Sequence, residues 1–145
     1  MPKADANRTI VDTWFQRVWN EGDISAIDEI FVADTKARGL GDETLNGPEV
    51  FKVFHKSLNG ILRDIQVHID RSISQDDWIS ARCIMTGKCP RSGKKIEITG
   101  NLYARINGGK IAEGYNEFNF MSLYEQLGFI PEKSFEKCLA GNSLI

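Results

Sequence analysis

The amino-acid sequence predicts a single α+β domain, in which three N-terminal helices pack in the concave face of a strongly curved antiparallel sheet to form a cone. Two observations predict it. Up to about residue 60, apolar residues recur every three or four positions, as on the buried face of a helix. From residue 65 they alternate with polar residues, as in strands with one buried face. Because a long twisted sheet curls and helices laid into it leave a cavity, we expect function to reside there.

The helical spacing predicts three helices in the first part of the chain. The first covers residues 7–19 and the second covers residues 25–32. A polar, glycine-containing stretch through Gly41 separates them from the third. That helix begins around Pro48, because proline fits the first turn of a helix, and ends near Gly60.

Four long strands are predicted to follow, joined by polar turns. They cover residues 65–73, 78–88, 95–106 and 110–121. Asn107-Gly108-Gly109 is typical of a tight hairpin turn, since Asn and Gly tolerate positive φ. The domain is expected to span residues 1–145, with its core over 7–131. The tail, 132–145, is weakly patterned and expected to be mobile or exchanged with a neighbouring copy.

The composition argues against several classes of partner. The 145 residues suit one domain, and the formal net charge of -2 leaves no excess of Lys and Arg to neutralise phosphates. Nucleic acid is therefore not expected as a partner. The N-terminus lacks an apolar run of signal-peptide length, and no segment is apolar enough to cross a bilayer. A cytoplasmic protein with no membrane partner is the expectation.

Residues that bind metals or form disulfides are sparse. Cys83, Cys89 and Cys138 are odd in number and none forms a C-x-x-C pair, which favours free thiols. His55 and His68 are the only histidines, and no H-E-x-x-H spacing is present. We expect neither a metal nor another cofactor.

Two segments carry a resemblance to a known family. Residues 108–131, GGKIAEGYNEFNFMSLYEQLGFIP, match a pattern of about D-G-K-I-x-E-x-W-x-x-x-D followed by L-x-x-Q-L-G. Upstream, residues 19–23, WNEGD, match a W-N-x-G-D break after an opening helix. Over residues 7–131 the chain resembles SnoaL-like polyketide cyclases and ester cyclases, within the nuclear transport factor 2-like superfamily. The resemblance implies a cystatin-like cone around one small-molecule pocket.

The resemblance also implies a chemistry. In the cyclases, an Asp at the end of the last strand removes an acidic proton, and the enolate closes a ring by intramolecular aldol condensation. Here Asn119 occupies the Asp position and Tyr115 the Trp position. An amide cannot accept a proton at neutral pH, so Asn119 could orient a ligand but could not act as the base. A Gly-Thr-His run of the family aligns with Gly-Lys-Cys at residues 87–89, so its His is also missing.

Glu117 is the best substitute base. Residues two apart on a strand share a face, which groups Glu113, Tyr115, Glu117 and Asn119. Matching Tyr115 and Asn119 to the family's pocket places that face toward the cavity. A carboxylate in an apolar cavity has a raised pKa and can act as general base or acid. The alternative is that Glu117 faces solvent or forms an ion pair, as many charged residues on strands do. Glu113 is expected to be structural, bonded to Lys110 or Arg105.

Four further residues are candidate pocket contacts, each with a structural alternative. Trp14 has a family counterpart near the pocket, although an aromatic residue at helical spacing is more often part of the core. His55 follows apolar residues on the third helix, where a surface or hydrogen-bonded structural histidine is commoner. Arg82 is a candidate contact for an anionic ligand and Tyr103 a candidate hydrogen-bond donor. Either could instead serve packing or a dimer contact.

Two functions stay open. The first is a cofactor-free cyclase- or isomerase-type lyase that acts on an apolar cyclic or polyketide-like carbonyl compound by proton abstraction or aldol ring closure. The second is a non-catalytic small-molecule-binding or dimerisation domain that kept the cone and lost the base. An ionisable side chain at the pocket floor favours the first, and a floor of amide, phenol and apolar groups favours the second. A protein-interaction domain, the third possibility, requires an exposed apolar patch. The long apolar strands predict a homodimer through the convex face.

Overall fold

Five helices and six strands are described over residues 2–145 of the computed structural model. The helices are α1 Lys3–Trp14, which continues as a π-helical segment Phe15–Asn20, α2 Ser25–Ile30, α3 Gly47–Ile61, α4 Phe120–Leu127 and α5 Ser134–Leu139. The strands are β1 Phe31–Arg38, β2 Leu45–Asn46, β3 Arg63–Gln75, β4 Trp78–Lys88, β5 Lys95–Asn107 and β6 Lys110–Phe118. The order in the sheet is β2-β1-β6-β5-β4-β3. The α+β class, with three helices before the long strands, is confirmed.

The sheet contains a strand that the sequence analysis did not predict. β1 pairs in parallel with β6, while the other neighbouring pairs are antiparallel, so the sheet is mixed. β1 begins where the predicted second helix ends and continues into the polar stretch. Beyond Phe31, its buried positions are Thr35 and Ala37, which are too small to give an apolar alternation. The Thr35 hydroxyl donates to the Ile111 carbonyl (2.7 Å) and so ties β1 to β6.

The core lies between the concave face of the sheet and the inner faces of α1 and α3. The alternation predicted for the long strands is confirmed in β4 and β5, whereas β-bulges interrupt it in β3 and β6. In β4 the buried positions of the central stretch are Ile79, Ala81, Cys83 and Met85. The helices contribute Val11 and Trp14 from α1, and Phe51 and Leu58 from α3. The helices therefore occupy the concave side, where a cavity is expected.

The W-N-x-G-D segment ends the first helix through an identifiable contact. The Asn20 side chain donates to the Val67 carbonyl (3.0 Å) and accepts from the Val67 amide (2.6 Å), as a neighbouring strand would. Gly22 has a φ of +69°, a left-handed conformation that favours glycine. Asp23 then accepts hydrogen bonds from Ser25, the first residue of α2. The break therefore docks the first helix on β3 and starts the second.

The C-terminal residues form two short helices. Asn119 is the N-cap of α4, since its side-chain oxygen accepts from the Ser122 amide (3.0 Å). Within the tail predicted to be mobile or exchanged, α5 packs against α4 of its own chain. There the Glu125 carboxylate accepts from the Phe135 amide (3.0 Å). None of the five helices over residues 2–145 combines the length and apolar character that crossing a membrane requires.

Candidate functional site

A cavity lies between the helices and the concave face of the sheet. Its volume is about 40 Å³. The lining residues are Trp14, Phe15, Trp19, Phe31, Ala37, Leu40, Phe51, Phe54, Leu58, Val67, Met85, Leu102, Ile111, Gly114, Asn116, Phe118 and Phe120. Within the described part of the chain, no ionisable side chain lines this cavity.

Aromatic rings fill much of the interior of the cone. The Trp14 ring stacks on Phe31, with centroids 4.6 Å apart, and meets Phe51 edge-on at 5.1 Å. Phe31 and Phe51 also meet edge-to-face at 5.1 Å, and Trp19 meets Phe51 at 6.2 Å. Each such pair contributes roughly 0.5–1.5 kcal/mol beyond the burial of its surface. The cluster explains why the cavity is small, and it presents ring surfaces to a ligand.

The mouth of the cavity is marked by the lining residues that are only partly buried. They are Leu40, Phe54, Asn116, Phe118 and Phe120. Asn116 supplies the one side-chain amide of the described lining. Its Nδ2 donates to the Arg38 carbonyl (3.0 Å) at the end of β1. An amide group has two N–H donors and an acceptor oxygen, so Asn116 keeps one donor and Oδ1 for a ligand.

The orientation predicted for the last strand is wrong. The β6 residues that line the cavity beyond Ile111 are Gly114, Asn116 and Phe118, whereas Glu113, Tyr115 and Glu117 lie on the outer, convex face. A β-bulge at Ala112 causes the difference. Ile106 pairs with Ile111 and Arg105 pairs with Glu113, so Ala112 is an extra residue that reverses the alternation. Simple alternation from the buried Ile111 therefore selects the wrong side chains.

Neither residue predicted to act on the reacting group borders the cavity. Glu117 is exposed on the outer face, and Asn119 lies just beyond β6, where its side chain caps α4. The catalytic role of Glu117 stays a prediction, and its position outside the cavity gives that role no support.

The outer face of β6 carries a hydrogen-bonded network. Arg105 Nε donates to the Glu113 carboxylate (2.8 Å), and the Tyr115 hydroxyl donates to the same carboxylate (3.0 Å). The Arg38 guanidinium lies over the Tyr115 ring, 5.5 Å from its centroid. The hydrogen bond from Arg105 holds the pKa of Glu113 below its ordinary value. Arg105 is one of the two partners that the sequence analysis predicts for Glu113.

Two of the predicted pocket contacts lie on the outer face. The Tyr103 ring stacks on Trp78, with centroids 4.6 Å apart, and is 43% exposed. Arg82 forms an ion pair with Asp70, with a distance of 2.6 Å between nitrogen and oxygen. Both residues are therefore available to a partner on the convex side and not to a ligand in the cavity.

His55 and Trp14 are both buried, but only Trp14 lines the cavity. His55 Nε2 donates to the Val18 carbonyl (2.8 Å), and its ring packs on Trp19 at 4.6 Å. This is the contact pattern of a structural histidine.

The residues at the mouth were missed by the sequence analysis. Asn116 and Phe118 follow the bulge in β6, so only recognition of the bulge would have indicated them. Phe120 lies one residue beyond the predicted candidate Asn119. Leu40 belongs to a connection, where periodicity gives no signal.

Comparison with known proteins agrees with this architecture. Residues 9–127 match the family model described as SnoaL-like polyketide cyclase. A comparison with curated proteins finds no match.

Several solved structures share the fold. TsrD from Streptomyces laurentii is 19% identical, with a TM-score of 0.72 over 86% of this chain and 96% of that chain. IdmH from Streptomyces antibioticus, a candidate polyketide cyclase, is 17% identical, with a TM-score of 0.74 over 84% of this chain and 98% of that chain. A protein of ketosteroid isomerase-like fold from Catenulispora acidiphila DSM 44928 is 18% identical, with a TM-score of 0.73 over 82% of this chain and 92% of that chain. At these identities the likeness establishes the fold alone.

Proposed function

This chain belongs to the SnoaL-like polyketide cyclase family, and on that premise we propose that it binds an apolar cyclic carbonyl compound in the central cavity. The observation that carries the proposal is the lining, which is aromatic and aliphatic except for the amide of Asn116 at the mouth. Small-molecule sites in proteins combine such apolar walls with a few polar groups that fix the orientation of the ligand.

The lining favours a neutral ring compound with a polar atom at one end. Trp14 and Phe51 offer ring surfaces that pack well against another flat ring. The free N–H of Asn116 is suited to donate to a carbonyl oxygen, and its Oδ1 to accept from a hydroxyl. A charged ligand would have to lose its hydration in a cavity that supplies no opposite charge, which is costly.

Binding without turnover is the function that this lining supports best. Proton abstraction requires a base within hydrogen-bond reach of the proton. The described lining contains no carboxylate or imidazole, and the side chain at the family's Asp position, Asn119, caps a helix instead. We therefore propose a ligand-binding protein that keeps the family's cone without a base in its cavity. A cytoplasmic location stays a prediction from the sequence.

Ring closure of a polyketide-like substrate is the second candidate function, and membership of the cyclase family is the observation that favours it. In that case Glu117 stays the proposed base, although it lies on the outer face of β6. Product formation from a candidate substrate, lost in Glu117→Gln, would support this second function. Full turnover by Glu117→Gln would remove Glu117 from the mechanism.

Ligand binding can be tested with the protein's own tryptophans. Trp14 and Trp19 line the cavity, whereas Trp78 lies on the outer face. In a Trp78→Phe protein, fluorescence therefore reports the cavity. We expect 1-tetralone, a neutral two-ring ketone, to quench this fluorescence in a saturable manner. The proposal would be contradicted if quenching rose linearly with ketone concentration and matched the quenching of free N-acetyltryptophanamide by the same ketone.

We also propose that two copies pair through the convex face. Trp78, Tyr103 and Tyr115 form a triangle of rings on that face, with centroids 4.6, 6.2 and 6.4 Å apart. Ile73 beside them is 78% exposed. A second copy would remove this apolar surface from water, and a two-fold axis makes such a patch self-complementary.

A further inference from the structure

We infer that Leu40 closes the mouth of the cavity, and that a ligand enters when the connection over residues 39–44 moves outward. This inference rests on the proposed ligand-binding function, and it adds an access route and the residue that controls it. Its starting point is a mismatch of size. An apolar cavity of roughly 150 Å³ holds a benzene molecule, whereas this one measures about 40 Å³. A ring compound therefore requires the wall to move.

Most of the wall resists movement. The long strands are joined by continuous ladders of hydrogen bonds, and the aromatic cluster is close-packed around Trp14 and Phe51. Residues 40–43 differ, because they take part in no backbone–backbone hydrogen bond within the described structure. Segments with few hydrogen bonds and few buried contacts open at the lowest free-energy cost. This connection is therefore the part of the wall that yields first.

Leu40 is the contact that holds the connection against the body of the protein. It is the only large apolar side chain among residues 39–44, and it packs on the core at the cavity mouth. The ends of the connection are fixed. At one end, Asn116 bonds the Arg38 carbonyl (3.0 Å). At the other end, Gly47 begins α3. Movement of Leu40 between these fixed ends opens the cavity without separating β1 from β6.

Charge at the mouth indicates which ring compounds enter. Asp42 and Glu43 follow Leu40 closely in the chain and are exposed, while the lining that the structure describes offers no cation. An anionic ligand is therefore repelled on approach and unpaired once inside. A neutral ring ketone avoids both costs, and its carbonyl can reach Asn116 at the mouth. The inferred ligand class is thus a neutral, flat ring compound that is admitted in competition with Leu40.

Association kinetics test the inference. In the Trp78→Phe protein, fluorescence quenching by 1-tetralone in a stopped-flow instrument gives the association rate. We expect Leu40→Ala to raise that rate about tenfold, because part of the apolar contact that must be broken is removed. Leu139→Ala is the matched control, since Leu139 is exposed on α5, far along the chain from the cavity residues. It should leave the rate unchanged. If Leu40→Ala fails to fold, Leu40→Val replaces it, and we then expect a smaller increase in the association rate.

The outcomes separate the two proposals. Saturable quenching with equal association rates in the parent and both Leu40 variants overturns the role of Leu40 and leaves the ligand site standing. Absence of saturable quenching in the parent and in every variant overturns the ligand site itself. Amide hydrogen exchange gives a further readout, since residues 40–43 are expected to exchange much faster than β4 and β5, and to gain no protection when bound ketone keeps Leu40 displaced. Protection of residues 40–43 equal to that of β4 in the free protein would overturn the inferred movement.

Discussion

Asn116 reaches the cavity only because β6 is bulged, and its amide is the polar contact on which ligand orientation is expected to depend. We predict that Asn116→Ala weakens 1-tetralone binding about two- to tenfold, which corresponds to the roughly 0.5–1.5 kcal/mol of one neutral hydrogen bond. Binding of tetralin, the same ring system without the carbonyl, should not weaken. Tryptophan quenching measures both affinities.

Asn101→Ala is the control for this prediction, since Asn101 bonds Ser80 on the outer face. An equal loss of affinity for tetralin and 1-tetralone in Asn116→Ala would mean that the amide supports the fold and does not recognise the carbonyl.

Glu113 gives a prediction on pH. Its folded pKa lies below the ordinary value of 4.5, chiefly because Arg105 donates to it. The ionised carboxylate therefore stabilises the folded protein above the unfolded pKa, and this contribution is lost as pH falls through the lowered folded pKa. Glu113→Gln should lower the free energy of unfolding by at most about 1 kcal/mol at pH 7, because the pair is partly exposed and screened.

Urea unfolding at pH 7 and at pH 3 measures the effect of Glu113→Gln. The difference between parent and variant should shrink as the pH falls from 7 to 3, because the stabilisation that comes with the lowered pKa of Glu113 diminishes below the unfolded pKa. A difference that grows toward pH 3 would show that the carboxylate is not stabilised by Arg105.

At the scale of elements, the sequence predicted the helices and strands whose buried apolar residues recur at regular spacing. The first helix, α3 and the four long strands bury large side chains at regular spacing, and all were predicted close to their observed bounds. β1 was missed because its inner positions hold Thr35 and Ala37. The last strand was oriented by matching Tyr115 and Asn119 to the family's pocket. The bulge at Ala112, which leaves no mark in the apolar pattern, directs Asn116 to the cavity instead. Of the candidate site, the sequence therefore placed Trp14 alone.

The contact between the end of β1 and β6 predicts the effect of two glycine substitutions. A Cβ on Gly39 would lie 1.8 Å from the Asn116 carbonyl oxygen, and the φ of Gly39 is +86°. Gly41 has a φ of +107°, but a Cβ there would meet no atom within 4 Å. Both substitutions by Ala strain the backbone, by roughly 1–3 kcal/mol. Only Gly39→Ala must also push β1 away from β6.

We therefore expect Gly39→Ala to lower the free energy of unfolding more than Gly41→Ala does. The difference between the two losses should be about 2 kcal/mol or more, as for overpacking in a closely packed site. Thermal or urea unfolding of the two variants measures the difference. Equal losses of stability would show that the end of β1 is not held tightly against Asn116.

For the whole molecule, the proposed dimer predicts a response to charge on the convex face. Tyr103 belongs to the cluster of three rings there and is 43% exposed, so Tyr103→Glu places one carboxylate from each copy in the proposed interface. We expect the parent to have a dimer mass by light scattering at micromolar concentration, and Tyr103→Glu to have a monomer mass with an unchanged circular dichroism spectrum. A monomer mass for the parent would contradict the proposal.

The central claim is that the cone of this protein holds a ligand site. Leu40 closes the mouth of that site, and Asn116 orients the bound ligand. A crystal structure of the protein saturated with 1-tetralone tests it most directly. The account predicts the ring among Trp14, Phe51 and Phe118, the carbonyl oxygen roughly 3 Å from Asn116 Nδ2, and Leu40 displaced outward. Ketone bound against Trp78 and Tyr103 on the convex face, with the central cavity unchanged, would contradict it.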